Sequence, residues 1–231
     1  MVYVVGHRGA AGVLPENTLK GFRYAIDLGV EYVECDVHLS RDNHLVVMHD
    51  DRVDRTTNGT GRIRDLPLSA IRGLDAGDGH QVPTFDEVLA LVQGRVKLLC
   101  ELKGEGVEEA AVEAVAGRNM EAEVIFTSFY LDRLERVRRR GDHLRLGAIL
   151  PDPGEQEIAR TLELRVMGVG IYYRNLCLRQ AERVLEEGLD LRAWNPDTLR
   201  EQKAMIGLGV TGISTNRPDL LVEYLNKQRA G

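Results

Sequence analysis

Eight apolar, β-rich runs punctuate the 231-residue chain, near residues 2–6, 31–37, 97–102, 123–127, 145–150, 166–172, 190–194 and 210–214, and helical patterns fill most of the gaps. This alternation limits the fold more than any other feature. Successive parallel strands need a crossover of a dozen or more residues, and a helix is the usual way to supply it. The helical faces are explicit: Leu19, Phe22, Ala25 and Ile26 line one side of residues 17–28, while Val107, Ala110, Ala111, Ala114 and Val115 do likewise further on. Thr84 with Glu87 spells a capping box, in which hydroxyl and carboxylate satisfy orphan backbone donors. Asn195 before Pro196 offers another cap with a preset first turn.

A ninth run, residues 45–48, follows the second too closely to be reached through a helix. Arg41, Asp42 and Asn43 supply turn chemistry, so residues 31–48 are expected to form a strand that folds back antiparallel and carries His49 to the rim where Asp36 ends. Removing that arm leaves eight βα units. The expected fold is therefore α/β, a (β/α)8 TIM barrel, with an open doubly wound sheet as the alternative. Residues 51–83 break the alternation: Thr56, Thr57, Asn58, Gly59, Thr60 and Gly61 are turn-rich, and a short helical stretch follows near residues 69–73. They are expected to be a small inserted cap after the second strand, within one domain spanning 1–231. What remains is lean against the roughly 250 residues typical of the fold, so its helices should be short.

With 43% hydrophobic residues the chain can bury a sizeable core. Its longest apolar stretches fall far short of a bilayer span, and His7 with Arg8 interrupts the first run before it could serve as a leader. A cytoplasmic protein without a membrane span is expected. Cys35, Cys100 and Cys177 are too few and scattered for a disulfide framework and read as reduced, buried thiols. A formal net charge of −6 argues against a nucleic-acid partner. The basic stretch 133–140, interrupted by Glu135, reads as a solvated helix face.

The chemistry-bearing residues sit at the ends of apolar runs. Glu34 and Asp36, two apart on a strand, share one face, while Val33, Cys35 and Val37 share the other. Glu101 repeats this after Leu98, Leu99 and Cys100, and Lys103 shares its parity. Buried like charges are costly unless paired or metal-bound, and three carboxylates with no sulfur or imidazole among them favour Mg²⁺ or Ca²⁺ over zinc. Structural salt bridges to Arg8 and Lys103 are the alternative. His7, Arg8 and Gly9 end the first strand, where a glycine turn can present a ring and a guanidinium to a phosphate. A lone histidine there serves structure as readily. His49 on the same rim completes an acid/base pair of the kind phosphodiester cleavage needs. His38 shares the parity of Asp36, at the entrance. His44, His80 and His143 lie in polar or turn-like surroundings, are expected to be exposed, and have no assigned role.

Taken in order, residues 7–9, 15–18, 34–37, 49–50, 55–61 and 101–103 resemble the glycerophosphodiester phosphodiesterase family, and the resemblance spans nearly the whole chain, ending at 212–218. It implies a (β/α)8 barrel with a small insertion after the second strand. It further implies that Glu34, Asp36 and Glu101 hold one divalent cation, Mg²⁺ or Ca²⁺, that His7 and His49 are the acid/base pair, and that Arg8 and Lys103 contact the phosphate. Asn17 is expected to steady the site from the first helix. Trp194 is expected to form an aromatic wall against the glycerol, although core packing explains it equally. Thr211 and Asn216 stand where the family often has aspartates, and Asn216 is read as a cap for the last helix. The implied activity is metal-dependent hydrolysis of a small-molecule glycerophosphodiester to glycerol 3-phosphate and an alcohol, through a cyclic phosphate. The same chemistry on lysophospholipids is the alternative. A silent phosphate-binding module is a third reading, which the presence of both histidines opposes.

Overall fold

The computed structural model describes residues 2–230. Among these residues the strands are β1 (Tyr3–Gly6), β2 (Tyr32–Leu39), β3 (Leu45–Val47), β4 (Lys97–Leu102), β5 (Val124–Ser128), β6 (Arg145–Ile149), β7 (Gly168–Tyr172), β8 (Asp190–Trp194) and β9 (Gly212–Thr215). The helices are α1 (Leu19–Leu28), α2 (Leu68–Arg72), α3 (Phe85–Val92), α4 (Val107–Ala116), α5 (Leu131–Arg140), α6 (Glu155–Glu163), α7 (Leu178–Glu186), α8 (Leu199–Gly207) and α9 (Pro218–Ala230). All strands except β3 pair in parallel around the ring, and the sheet closes where β1 pairs with both β9 and β2. The expected (β/α)8 barrel is the observed fold. No helix among the described residues is long and apolar enough to cross a membrane.

Strand parity sorts the core into two shells. Val33, Cys35 and Val37 of β2 and Leu98, Cys100 and Leu102 of β4 face outward and pack with Phe22, Phe85 and Leu134 of the helices. The inward set is smaller: Val5, Leu99 and Ile125 pack with Tyr3 and Tyr32, whose rings lie 5.0 Å apart. A space of only about 20 Å³ remains beside them, so the barrel base is filled and chemistry is confined to the mouth.

The arm forms as the spacing required. Val37, His38 and Leu39 pair antiparallel with Val47, Val46 and Leu45, and the Met48 N–H donates to the Asp36 carbonyl at 3.0 Å, so His49 emerges beside the end of β2. Between β3 and α3 the chain makes a 3₁₀ turn at Ile63–Asp65 and the single short helix α2. This segment gathers its own apolar cluster, in which Val53, Ile63, Ile71 and Val82 are fully buried with Val46 and Met48.

Some local expectations are overturned. Asn195 caps nothing: α8 begins behind Thr198, whose hydroxyl accepts from the Glu201 N–H at 3.3 Å while Glu201 returns to the Thr198 N–H at 3.0 Å. Residues 195–197 instead turn across the barrel mouth, where Asp197 binds Thr215 and Asn216. Cys35 and Cys100 are buried, but Cys177 is exposed, because it precedes α7 in the loop that leaves the barrel. The basic stretch in α5 is more than a solvated face. Arg133 donates to the Leu102 and Gly104 carbonyls, and Arg138 donates to those of Leu144 and Leu164, so these cations satisfy loop carbonyls of neighbouring units.

The Thr84 capping box is present as read, with the Thr84 hydroxyl accepting from the Glu87 N–H at 3.2 Å and Glu87 accepting from the Thr84 N–H at 2.9 Å. Thr84→Ala is expected to destabilise the chain by about 1 kcal/mol. A thermal melt should show the midpoint lowered by roughly 2–4 °C; an unchanged midpoint would mean that the cap contributes nothing.

Candidate active site

Two local devices bring the first loop over the end of β2. Gly9, at φ 84°, lies so close to α1 that a Cβ there would sit 2.6 Å from the Gly21 carbonyl carbon, so only glycine fits. Arg8, also left-handed at φ 48°, turns its N–H onto Glu34 Oε2 at 2.9 Å. Thr18 then caps α1 by accepting from the Gly21 N–H. Just ahead of that cap, Asn17 at φ 57° donates from Nδ2 to Asp36 Oδ2 at 2.9 Å. Asn17 thus hydrogen-bonds a carboxylate from the loop ahead of α1, whereas the sequence reading placed it on the helix.

The carboxylates meet through sheet register. Asp36 is the register partner of Glu101 across β2 and β4, and Glu34 lies on the same inward face. All three are buried, and one oxygen from each falls within 4.8 Å of the other two. Burial, followed by the repulsion of Asp36 and Glu101, pushes the Glu34 carboxyl well above the usual range. Burial and Asp36 likewise push Glu101 up to about 7. Two cations offset part of this: Arg8 Nε lies 3.5 Å from Asp36 Oδ2, and Lys103 Nζ lies 3.3 Å from Glu101 Oε1. Glu34 Oε1 and Asp36 Oδ1 are nevertheless buried without any hydrogen-bond partner. Unpartnered carboxylate oxygens converging on one point are the donor set a hard divalent cation takes, so these residues fit such an ion.

His7 lies against Glu34 and His49 is joined to Glu101 through Lys103, each ring with a different partner. His7 Nδ1 lies 2.7 Å from Asn216 Oδ1, and Asn216 Nδ2 donates to Asp197 Oδ2 at 2.7 Å. The amide is therefore oriented to accept, and His7 carries its proton on Nδ1, which leaves Nε2 as an acceptor 3.4 Å from Asn195 Nδ2 and 3.8 Å from Glu34. Burial first, then Arg8, lowers the His7 pKa to about 4. His49 donates from Nδ1 to Asp50 Oδ1 at 2.6 Å, and Lys103 Nζ donates to His49 Nε2 at 3.0 Å. His38 Nε2 reaches the His49 carbonyl at 3.1 Å and pins the end of the arm. His44 and His143 are exposed and His80 half-buried.

A clamp from the segment after β3 fixes the second histidine. Arg55 donates from Nε to Asp50 Oδ2 at 2.7 Å, and it forks onto both oxygens of Glu16 at 2.7 and 2.9 Å. Hydrogen bonding from Arg55 holds the Asp50 carboxyl far below its usual range. Burial raises Glu16, but its bonds to Arg55 and Arg8 outweigh that and leave it lowered. Arg8 also donates from Nη1 to Glu16 Oε1 at 3.0 Å, so its guanidinium is anchored beside the site and positioned by the same clamp. Asp50, Arg55 and Glu16 all lie within the motif segments, but their mutual contact is not readable from spacing.

Trp194 stands at the end of β8 between Tyr172 and Phe129, at centroid distances of 5.1 and 5.6 Å, and Lys103 Nζ lies 5.6 Å over the Phe129 ring. The aromatic edge of the mouth is thus a row in which Trp194 is one member. Asn216 is a correction: its side chain joins His7 to Asp197 and does not cap α9. Asp197 and Asn195, whose Nδ2 lies 3.4 Å from His7 Nε2, received no site role from the sequence; the available signal was their position just past β8, where barrels place chemistry.

A model of the glycerophosphoryl diester phosphodiesterase family matches residues 7–220. A glycerophosphodiester phosphodiesterase of Caldanaerobacter subterraneus subsp. tengcongensis is 34% identical over 237 residues, covering 97% of this chain and 98% of its own. The crystal structure of a putative glycerophosphodiester phosphodiesterase from Galdieria sulphuraria superimposes with a TM-score of 0.91 at 25% identity, covering 98% of each chain. An Oleispira antarctica phosphodiesterase in complex with the product sn-glycerol-3-phosphate gives a TM-score of 0.89 at 26% identity, covering 96% of this chain and 95% of its own.

The raised carboxyls generate a test that needs no substrate. A carboxyl raised in the folded state contributes stability below its unfolded pKa and loses it as pH rises through the folded value. For Glu101 that loss extends through about pH 7. His7 has the opposite sign, and its lowered pKa makes stability rise only up to its unfolded value, roughly 6.5. Between about pH 6.5 and 8 the carboxyl effect is therefore the one remaining from this pair. Melts in chelator should show a midpoint falling over that window, with a shallower fall in Glu101→Gln; identical slopes would remove Glu101 as the source.

Proposed function

The chain belongs to the glycerophosphoryl diester phosphodiesterase family and is an enzyme of that class, and from that premise we propose that its barrel mouth cleaves a glycerophosphodiester to glycerol 3-phosphate and an alcohol by paired histidine catalysis. The observation that carries this reading is the convergence of three buried carboxylates, two of them with unpartnered oxygens, beside His7 and the Lys103–His49 pair, the Nδ1 atoms of both rings being engaged. Glu34, Asp36 and Glu101 would hold one divalent cation, Mg²⁺ or Ca²⁺. When bound, such an ion supplies Lewis-acid polarisation of phosphoryl oxygen and acidifies a coordinated hydroxyl.

The protein groups divide the proton work. His7, with its proton fixed on Nδ1 by a neutral amide, presents Nε2 as the base that takes the proton from a glycerol hydroxyl. That oxygen attacks phosphorus, the bond to the alcohol breaks, and His49, protonated on both nitrogens with Asp50 behind Nδ1 and Lys103 turned from Nε2 to the phosphoryl group, gives its Nε2 proton to the departing oxygen. Water then opens the cyclic phosphate, with His49 taking the proton of the attacking water and His7 returning its proton to the glycerol oxygen. Because nucleophile and phosphorus belong to one bound substrate, the attack is effectively intramolecular. Lys103 and Arg8 stabilise charge on the phosphoryl oxygens, with Arg8 held by Glu16 and Lys103 by Glu101 and His49. Asn17 steadies Asp36, and Trp194 walls the glycerol side. Residues 51–83 act as a small cap within the single domain 1–231, and Arg55 is the link through which the cap orients Asp50 and hence His49.

His7→Ala and His49→Ala should each lower kcat by roughly 10²–10⁴ while circular dichroism melts stay near wild type. Near-normal turnover in either variant would discard the pair. Assaying glycerophosphocholine against lysophosphatidylcholine, with and without chelator, separates the alternatives. The expected result is cleavage of the water-soluble diester, abolished by chelator and restored by Mg²⁺ or Ca²⁺; activity surviving complete chelation would refute the carboxylate assignment.

A further inference from the structure

A groove of about 500 Å³ opens beside the catalytic mouth, between the end of β2 and the segment that follows β3. It shares Lys103 with the site, and His38, which pins the His49 carbonyl, forms part of its wall. The groove is basic in a chain whose formal net charge is −6. Arg41, Arg62, Arg64, Arg133 and Lys103 line it, against two carboxylates, Asp51 and Glu105. Arg133 and Lys103 are committed to other partners. Arg41, Arg62 and Arg64 are exposed, and their guanidinium groups have no hydrogen-bond or ion-pair partner among the described residues.

The position of this groove matters because a phosphodiester has two arms. With phosphorus held between His7 and His49, one arm must leave on the side of His49, Lys103 and the arm β2–β3. An alcohol extending that way meets unpaired guanidinium groups, which favour anions and match phosphate or carboxylate with paired donors. We propose that this groove selects diesters whose alcohol moiety bears a further anionic group, phosphate or carboxylate. The inference rests on the hydrolytic reading of the adjacent site. It gives the segment after β3 a second duty, since Arg62 and Arg64 flank Ile63, whose buried side chain anchors them in that segment's own apolar cluster.

The test compares kcat/KM within two matched pairs: glycerophosphoinositol with and without a phosphate monoester on its ring, and glycerophosphoserine against glycerophosphoethanolamine, which lacks the carboxylate. Exposed ion pairs each contribute modestly, so wild type should prefer the more anionic member by roughly tenfold for phosphate and less for carboxylate. The preference should shrink as salt is raised to 0.5 M, since exposed charges are screened. In Arg62→Glu/Arg64→Glu the preference should vanish while turnover of plain glycerophosphoinositol stays within about twofold. A preference in either pair that this variant abolishes supports the proposal, and the pair showing it tells which anion is taken. Hydrolysis without discrimination, or discrimination that survives the reversal, overturns the proposal and leaves the hydrolytic reading standing. Equal loss of both partners in the milder Arg62→Gln/Arg64→Gln would also overturn it. No turnover of any of the four diesters would overturn the hydrolytic reading and this inference together.

Discussion

Three like charges are forced together at the barrel mouth, and the surrounding residues are arranged around that cost. At about 4 Å and an effective dielectric of about 20, two carboxylates repel by roughly 4 kcal/mol, a large part of the roughly 5–15 kcal/mol that holds a typical domain folded. The β2/β4 register leaves no escape, since Asp36 and Glu101 are partners across adjacent strands and their backbone is locked in the closed sheet. Relief must come from outside the strands. It comes from Arg8 and Asn17 on the loop after β1 and from Lys103 just past β4. None of these reaches Glu34 Oε1 or Asp36 Oδ1, which is why the cluster reads as a cation site rather than a set of structural salt bridges.

The antiparallel arm answers a different geometric problem. A barrel mouth built only from strand ends would draw both imidazoles from the same ring of positions. Folding β3 back along β2 lifts His49 over the rim and frees it from that ring, but it also leaves the histidine at the end of a strand of only three residues. Such an arm needs bracing. His38 holds its carbonyl, Asp50 holds its ring, and Arg55 ties Asp50 to Glu16 and through it to Arg8. The segment after β3 can do this because Val53, Ile63, Ile71 and Val82 give it a small core of its own.

What the sequence made legible followed from rules that act locally or through parity. Alternation of strand and helix led to the barrel, the short interval before residue 45 led to the arm, and period two placed Glu34, Asp36, Glu101 and Lys103 on one face. The failures concern residues whose fate is set by partners far along the chain. Asn216 and His7 are separated by 209 positions, so nothing local could weigh that contact against a helix cap. Asn195 lost the cap to Thr198, which had Glu201 to complete a capping box while Asn195 was drawn across the mouth towards His7. Cys177 looked like the other thiols by composition, yet only Cys35 and Cys100 lie on strand faces covered by helices.

The partners of the two rings are unequal, and electrostatics explains why. His7 Nε2 lies 3.8 Å from Glu34, so a carboxylate behind its Nδ1 would add a fourth negative charge to a cluster that is already strained. Asn216 avoids this by placing a neutral amide against the ring and passing its own hydrogen bond outward to Asp197, so the charge sits one residue further away while the ring stays oriented. His49 faces the opposite constraint. Its Nε2 looks towards an ammonium, Lys103 at 3.0 Å, and a carboxylate behind Nδ1 balances that charge where an amide would not. The asymmetry of Asn216 and Asp50 thus follows from which neighbour each ring must tolerate.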